Sequence, residues 1–218
     1  MNASQYLKDL QVLGQVLRQL NQFSSNLWRA EKDFGGSALI EDAKSNYESL
    51  TTRRYPIKDA DLKEIIERSY QDGKITLGER FYLPPLEGNK EFVALLFLDC
   101  DFKRDPPKVD LRVGMYRFTR ESGVLQGFGF RFEMHDHSSN HNYYHVQITT
   151  QPHKKLAHEY VSWIPEELPC VLLPATNPVS LVFCILISFY GRRISERMIS
   201  PMNIDRKYKE PLQFLSLT

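Results

Sequence analysis

The reading of the fold turns on two segments. The first is Val124-Leu125-Gln126-Gly127-Phe128-Gly129-Phe130-Arg131-Phe132-Glu133-Met134, and the second, across the loop His135 to His141, is Asn142-Tyr143-Tyr144-His145-Val146-Gln147-Ile148-Thr149-Thr150. Successive side chains of a strand point to opposite faces. Val124, Phe128, Phe130, Phe132 and Met134 share one parity, broken only by Gln126, and Tyr144, Val146 and Ile148 extend that apolar face on the return. The other parity carries Gly127, Gly129, Arg131 and Glu133 on the first segment and Tyr143, His145 and Gln147 on the second. Two strands paired in the register this pattern demands place Arg131 and Glu133 across from, or diagonal to, Tyr143, His145 and Gln147. The glycines leave room for close approach to the backbone, and Ser138, Ser139 and Asn140 supply turn chemistry.

Working outward, Phe92 to Leu98 is continuously apolar, which predicts an interior strand covered on both faces. Asp99 and Asp101 follow on a common parity. That spacing can hold Mg²⁺ in nucleases and phosphotransferases, or simply open the loop leading to Pro106-Pro107. Val109 to Phe118 alternates, and Thr119 to Gly123 is a tight link into Val124, so the natural topology is an antiparallel meander.

Further along, Asn177 is a good helix cap, Pro178 fits the first helical position, and Val179 to Tyr190 is apolar all round before Gly191. This predicts a helix buried against the sheet, too short for a bilayer, with Ser180 and Ser188 bonding back to its own carbonyls.

Upstream, Leu10, Leu13, Leu17, Leu20 and Leu27 recur at helical spacing between Ser4 and Ala30. The stripe suits packing within its own domain or a coiled-coil-like seam for a partner. The pattern predicts a short helix over Leu39 to Leu50 and another from Asp61 to about Asp72 with Gly73 as its stop. Gln151 to Pro165 gives no assignable pattern.

The fold class expected is α+β: an antiparallel β-meander of about four to six strands, a buried C-terminal-half helix on one face and an N-terminal helical segment. Residues 1–72 form the helical segment and 73–218 the α+β domain. The polar sheet face around Arg131, Glu133, Tyr143, His145 and Gln147 is expected to be at least partly open.

The 218 residues are 42% hydrophobic and 12% aromatic, which is ample for a packed core. With 28 basic against 27 acidic residues there is no global field to gather nucleic acid or anionic lipid, so any such binding must be local. Lys103, Arg104, Lys108, Arg112, Arg117 and Arg120 form one local excess, which strand edges also use against aggregation. Cys100, Cys170 and Cys184 are odd in number and set in apolar runs, as expected of buried thiols in a reducing compartment. The start, Met1-Asn2-Ala3-Ser4, lacks the features of a signal peptide, and no apolar run reaches the ~20 residues of a membrane helix. The expected location is cytoplasmic, with no membrane.

All six histidines lie between His135 and His158. Three functions compete for that region. His135, His137 and His141 can bind a divalent transition metal. Alternatively His145 acts as general acid or base, Glu133 tunes it, Arg131 holds an anionic group, and Tyr143, Gln147 and Arg112 bind substrate, the equipment of a phosphodiesterase or ribonuclease-like hydrolase. The third and favoured reading is a binding or accessory subunit that meets a protein partner, or another copy of itself, through the N-terminal helix or the sheet face. The sequence holds no nucleophile elbow and no phosphate-cradling glycine loop.

Overall fold

A computed structural model of the chain describes residues 3–30, 57–84, 93–104, 108–119, 124–134, 144–149, 171–209 and 211. Its elements follow in order as α1 (Ala3–Ala30), α2 (Asp59–Asp72), β1 (Lys74–Tyr82), β2 (Val93–Asp101), β3 (Lys108–Thr119), β4 (Val124–Met134), β5 (Tyr144–Thr149), β6 (Val171–Leu172), α3 (Pro178–Ile199) and a 3-10 turn at Arg206–Lys209. The expected helix at Leu39 to Leu50 and the unassigned stretch from Gln151 to Pro165 fall outside the described residues.

The six strands pair antiparallel in sequence order, β1-β2-β3-β4-β5-β6, so the protein is an α+β fold built on a meander. β4 and β5 meet in the register the alternation requires: Phe132 faces Val146, Phe130 faces Ile148, Glu133 faces His145 and Arg131 faces Gln147. The six strands meet the expected number, and two of them, β1 and β6, have no individual assignment from sequence. β1 follows the αL turn at Gly73, and its alternating Ile75 and Leu77 are buried while Thr76 is exposed. Its register with β2 shifts between Leu77 and Phe81. β6, only two residues long, lies where Pro169 and Pro174 bracket an apolar run.

One apolar face of the sheet, including Leu77, Leu96, Leu111, Val113 and Phe132, belongs to a single hydrophobic cluster with α1, α2 and α3. Phe189 of α3 sits edge-on to Phe130, ring centroids 5.3 Å apart, and contacts Phe132 at 6.5 Å. Such aromatic pairs add roughly 0.5–1.5 kcal/mol beyond the area they bury. β2 is covered on both faces, as its continuous apolarity predicts: Leu95, Leu96, Phe97 and Leu98 are all buried.

α3 begins as expected. Asn177 accepts from Ser180 N at 2.8 Å, and the Ser180 hydroxyl accepts from Asn177 N at 3.1 Å, closing a reciprocal cap. Ser188 bonds back to the Cys184 carbonyl at 2.8 Å. The helix does not stop at Gly191. That residue takes φ 69°, the chain kinks, and helical backbone resumes to Ile199. Ile194, Met198 and Ile199 explain the continuation, since they carry a second apolar stripe into the core. By length and composition α3 is long and apolar enough to cross a membrane, yet 61% of its apolar window is buried within the protein.

α1 turns its stripe inward: Leu10, Leu13, Leu17 and Leu20 are fully buried in the shared core. Gly14 lies at the crossing with α2, where a Cβ would come within 2.9 Å of Ile66 Cγ2 and 3.2 Å of the Tyr70 hydroxyl. Asn21 ties α1 to the start of α2 by donating to the Ile57 carbonyl at 2.7 Å and to Asp59 Oδ1 at 3.2 Å. The other end of α1 is anchored by Asp9, which accepts from the Tyr208 hydroxyl at 2.6 Å and from Gln5 at 2.7 Å. Burial, and then the Asp9 carboxylate, push the Tyr208 hydroxyl above its ordinary range.

Replacing Gly14 by leucine therefore costs stability even though glycine is a poor helix former. The helix gains about 1 kcal/mol of propensity, but overpacking against α2 costs roughly 1–3 kcal/mol or more. A lowered urea midpoint is the expected result. A raised midpoint would mean that α1 and α2 can separate at this crossing.

Candidate functional site

The face of the sheet opposite α3 carries two adjoining rows of side chains set by the strand register. One row reads Thr76, Asp99, Asp110, Glu133 and His145 across β1 to β5. The next reads Phe97, Arg112, Arg131 and Gln147 across β2 to β5. Each row alone places like charges directly opposite one another, an arrangement that destabilises a sheet. The rows answer each other diagonally.

Arg112 forks onto Asp110, Nε to Oδ1 at 2.9 Å and Nη2 to Oδ2 at 2.8 Å. This bidentate pairing holds the guanidinium above its ordinary pKa despite partial burial. Arg131 reaches in both directions: its Nη2 lies 2.5 Å from Glu133 Oε2 and its Nε 3.8 Å from Asp110 Oδ1. At the outer end Lys108 Nζ donates to Asp99 at 2.5 Å. Three carboxylates thus meet three cations, with His145 at the inner end.

Burial deepens along the row. The Asp99 side chain is 49% exposed, Asp110 12%, Glu133 7% and His145 1%. The face is partly open: the Asp99 and Arg131 side chains stay 49% and 38% exposed, whereas Glu133, His145 and the neighbouring Phe97 are buried. The Asp110 and Glu133 carboxylates can be withdrawn from water this far because each has an arginine beside it. Glu133 Oε1 lies 3.6 Å from His145 Nε2, a contact beyond hydrogen-bond length. That oxygen is buried and accepts no hydrogen bond from the described residues.

Of the residues singled out from sequence, Arg112, Arg131, Glu133, His145 and Gln147 come together here. Tyr143 and the loop histidines His135, His137 and His141 lie outside the described residues. Asp99 and Asp101 do not face each other across an empty site. Asp99 holds Lys108, while Asp101 takes Lys74 at 3.1 Å and the Lys103 backbone N–H at 3.1 Å. Burial raises the Asp101 carboxyl, but these bonds outweigh it and hold the group below its ordinary pKa. Among the described residues no group of three or more His, Cys, Asp or Glu is placed to hold a metal ion.

Cys100 and Cys184 are free and buried. Burial pushes the Cys184 thiol up to about 12 and the Cys100 thiol up further, so neither is poised as a nucleophile near neutral pH. Sequence reasoning gave Asp110 no special role, yet it links the two arginines. Its signal was the Asp110-Leu111-Arg112 spacing on a strand, which puts acid and base on one face.

No protein-family model matches the chain, and no curated protein or solved structure matches it significantly.

A charged network of this kind is tested by removing charges singly and together. Arg131→Met leaves Glu133 buried without its cation, with an expected cost of about 1.5–3 kcal/mol. Arg131→Met/Glu133→Leu removes both charges, so it is expected to cost less than the two single changes summed. Strict additivity in denaturant unfolding would show that the pair contributes nothing.

Proposed function

We propose that the chain is a soluble, cytoplasmic binding or accessory subunit that acts through macromolecular association. One observation carries this reading: the charged cluster that stands out on the sheet is engaged within itself, with Asp110 forked by Arg112, Glu133 held by Arg131 and His145 enclosed beside Glu133. Such a cluster orders β3, β4 and β5 relative to one another and leaves recognition to the outer surface. The buried free thiols and the enclosure of α3 within the core fit a reducing, aqueous setting.

A second reading draws on the same residues. Arg131, Glu133 and His145 are contiguous, as a phosphodiester-cleaving enzyme would need, and Glu133 Oε1 is without a hydrogen bond from the described residues. For that chemistry the cover over His145 has to open, because general acid–base catalysis requires hydrogen-bond reach to the substrate.

Native mass spectrometry of the untagged protein, prepared from its own host without chelators, separates the two. The subunit reading predicts a dimer or hetero-complex of bare polypeptide mass. A strict monomer contradicts it. The hydrolase reading predicts a phosphodiesterase activity that His145→Ala and Arg131→Ala abolish while the Tm stays within a few degrees. Loss of folding in both variants would identify those side chains as structural.

A further inference from the structure

The kink at Gly191 divides α3 into two parts with different surroundings. From Val179 to Leu186 every side chain is buried, whereas beyond the kink Arg192, Arg193 and Arg197 are exposed. The Ser195 hydroxyl donates to the Gly191 carbonyl at 2.7 Å, and Ser195, Met198 and Ile199 remain buried, so the second part is held firmly against the core. The 3-10 turn that follows is fixed by the buried Tyr208–Asp9 hydrogen bond. Residues 192–209 carry six basic side chains against two acidic ones, in a chain whose net charge is only +1, so the remainder is net acidic.

Half of these cations are already occupied. Arg192 pairs with Glu196 at 2.7 Å, Lys207 lies 4.8 Å from the centre of the Tyr208 ring, and Lys209 donates to the Met202 carbonyl at 2.8 Å. Arg193, Arg197 and Arg206 are exposed and have no ion-pair partner among the described residues.

We infer that Arg193 and Arg197, with Arg206 on the 3-10 turn that packs against α3, form a docking surface for an acidic segment of a partner protein. The proposal rests on the reading of the chain as a binding subunit and names the surface and the partner's chemistry. A guanidinium fork matches a carboxylate in two hydrogen bonds. Arg193 and Arg197 stand four residues apart on a helix, about 6 Å along its axis. Alternate side chains of an extended peptide are spaced about 6.6 Å apart on one face, so glutamates at every second position fall in step with the two arginines.

Other polyanions fit less well. Three exposed guanidiniums on an otherwise net acidic molecule offer few phosphate contacts and an opposing field to a nucleic acid. The exposed large apolar side chains among the described residues are Leu7, Tyr70 and Ile148, all on other elements. Among the described residues this surface therefore offers neither the aromatic platform of a single-strand binder nor the apolar side of a helix that lies in a bilayer.

The test is a titration of the full chain with a peptide of about ten residues carrying glutamate at alternate positions. Binding that weakens with salt is expected. Arg193→Glu/Arg197→Glu/Arg206→Glu is expected to lose at least about tenfold in affinity, while Lys8→Glu/Arg18→Glu/Lys58→Glu, an equal change of charge on α1 and before α2, stays within about twofold. Absent peptide binding or equal loss in both variants overturns the proposal. So does tighter binding of duplex DNA or phosphatidylserine vesicles through the same arginines. An assembly seen by native mass spectrometry that survives intact in the triple arginine variant overturns this surface and leaves the wider reading standing.

Discussion

The structure depends on β4 keeping its register against β3 and β5. With Phe132 beside Leu111 and Val146, the apolar side chains of three strands meet under α3, and Asp110, Glu133 and His145 line up on the far side. A slip of one residue would turn Arg131 and Glu133 towards Phe189 and move Phe130 and Phe132 onto the charged face among Asp110 and His145. Hydrophobic burial alone penalises that slip heavily. The charged rows add a directional term, because Arg131 can reach both Asp110 and Glu133 only in the observed pairing. Buried ion pairs are often weak contributors to net stability, and their best-attested use is to fix one arrangement among several.

The same constraint explains which parts of the fold were legible in the sequence. β3, β4 and β5 could be read because one face of each is apolar and the alternation is local information. α3 could be read up to Gly191, where capping by Asn177 and a continuous apolar run leave little choice. Its continuation could not, since a positive-φ glycine ends a helix or kinks it according to whether a second stripe follows, and Ile194, Met198 and Ile199 meet their partners only in three dimensions. β6 escaped because two residues carry no periodicity.

At the candidate site the residue types and their mutual placement were legible, but their burial was not. Parity puts Glu133 and His145 opposite each other. It cannot show that Asp110, 23 positions earlier, supplies the hinge between Arg112 and Arg131. Nor can it show that this side of the sheet closes over His145. The solvation of a charged side chain is a tertiary property, set by neighbours remote in sequence.

On this account the polar rows act as a second, ionic core that locks the middle of the sheet, and association takes place elsewhere on the surface. Native-state amide hydrogen exchange tests that claim most directly. If the rows lock the sheet, the paired amides of β4 and β5 around Phe132, Glu133 and Val146 exchange only through global unfolding, with the same protection as β2 and β3. Exchange of the β4–β5 amides by local opening, well below the global free energy, would contradict the account and make this face a mobile surface open to a substrate.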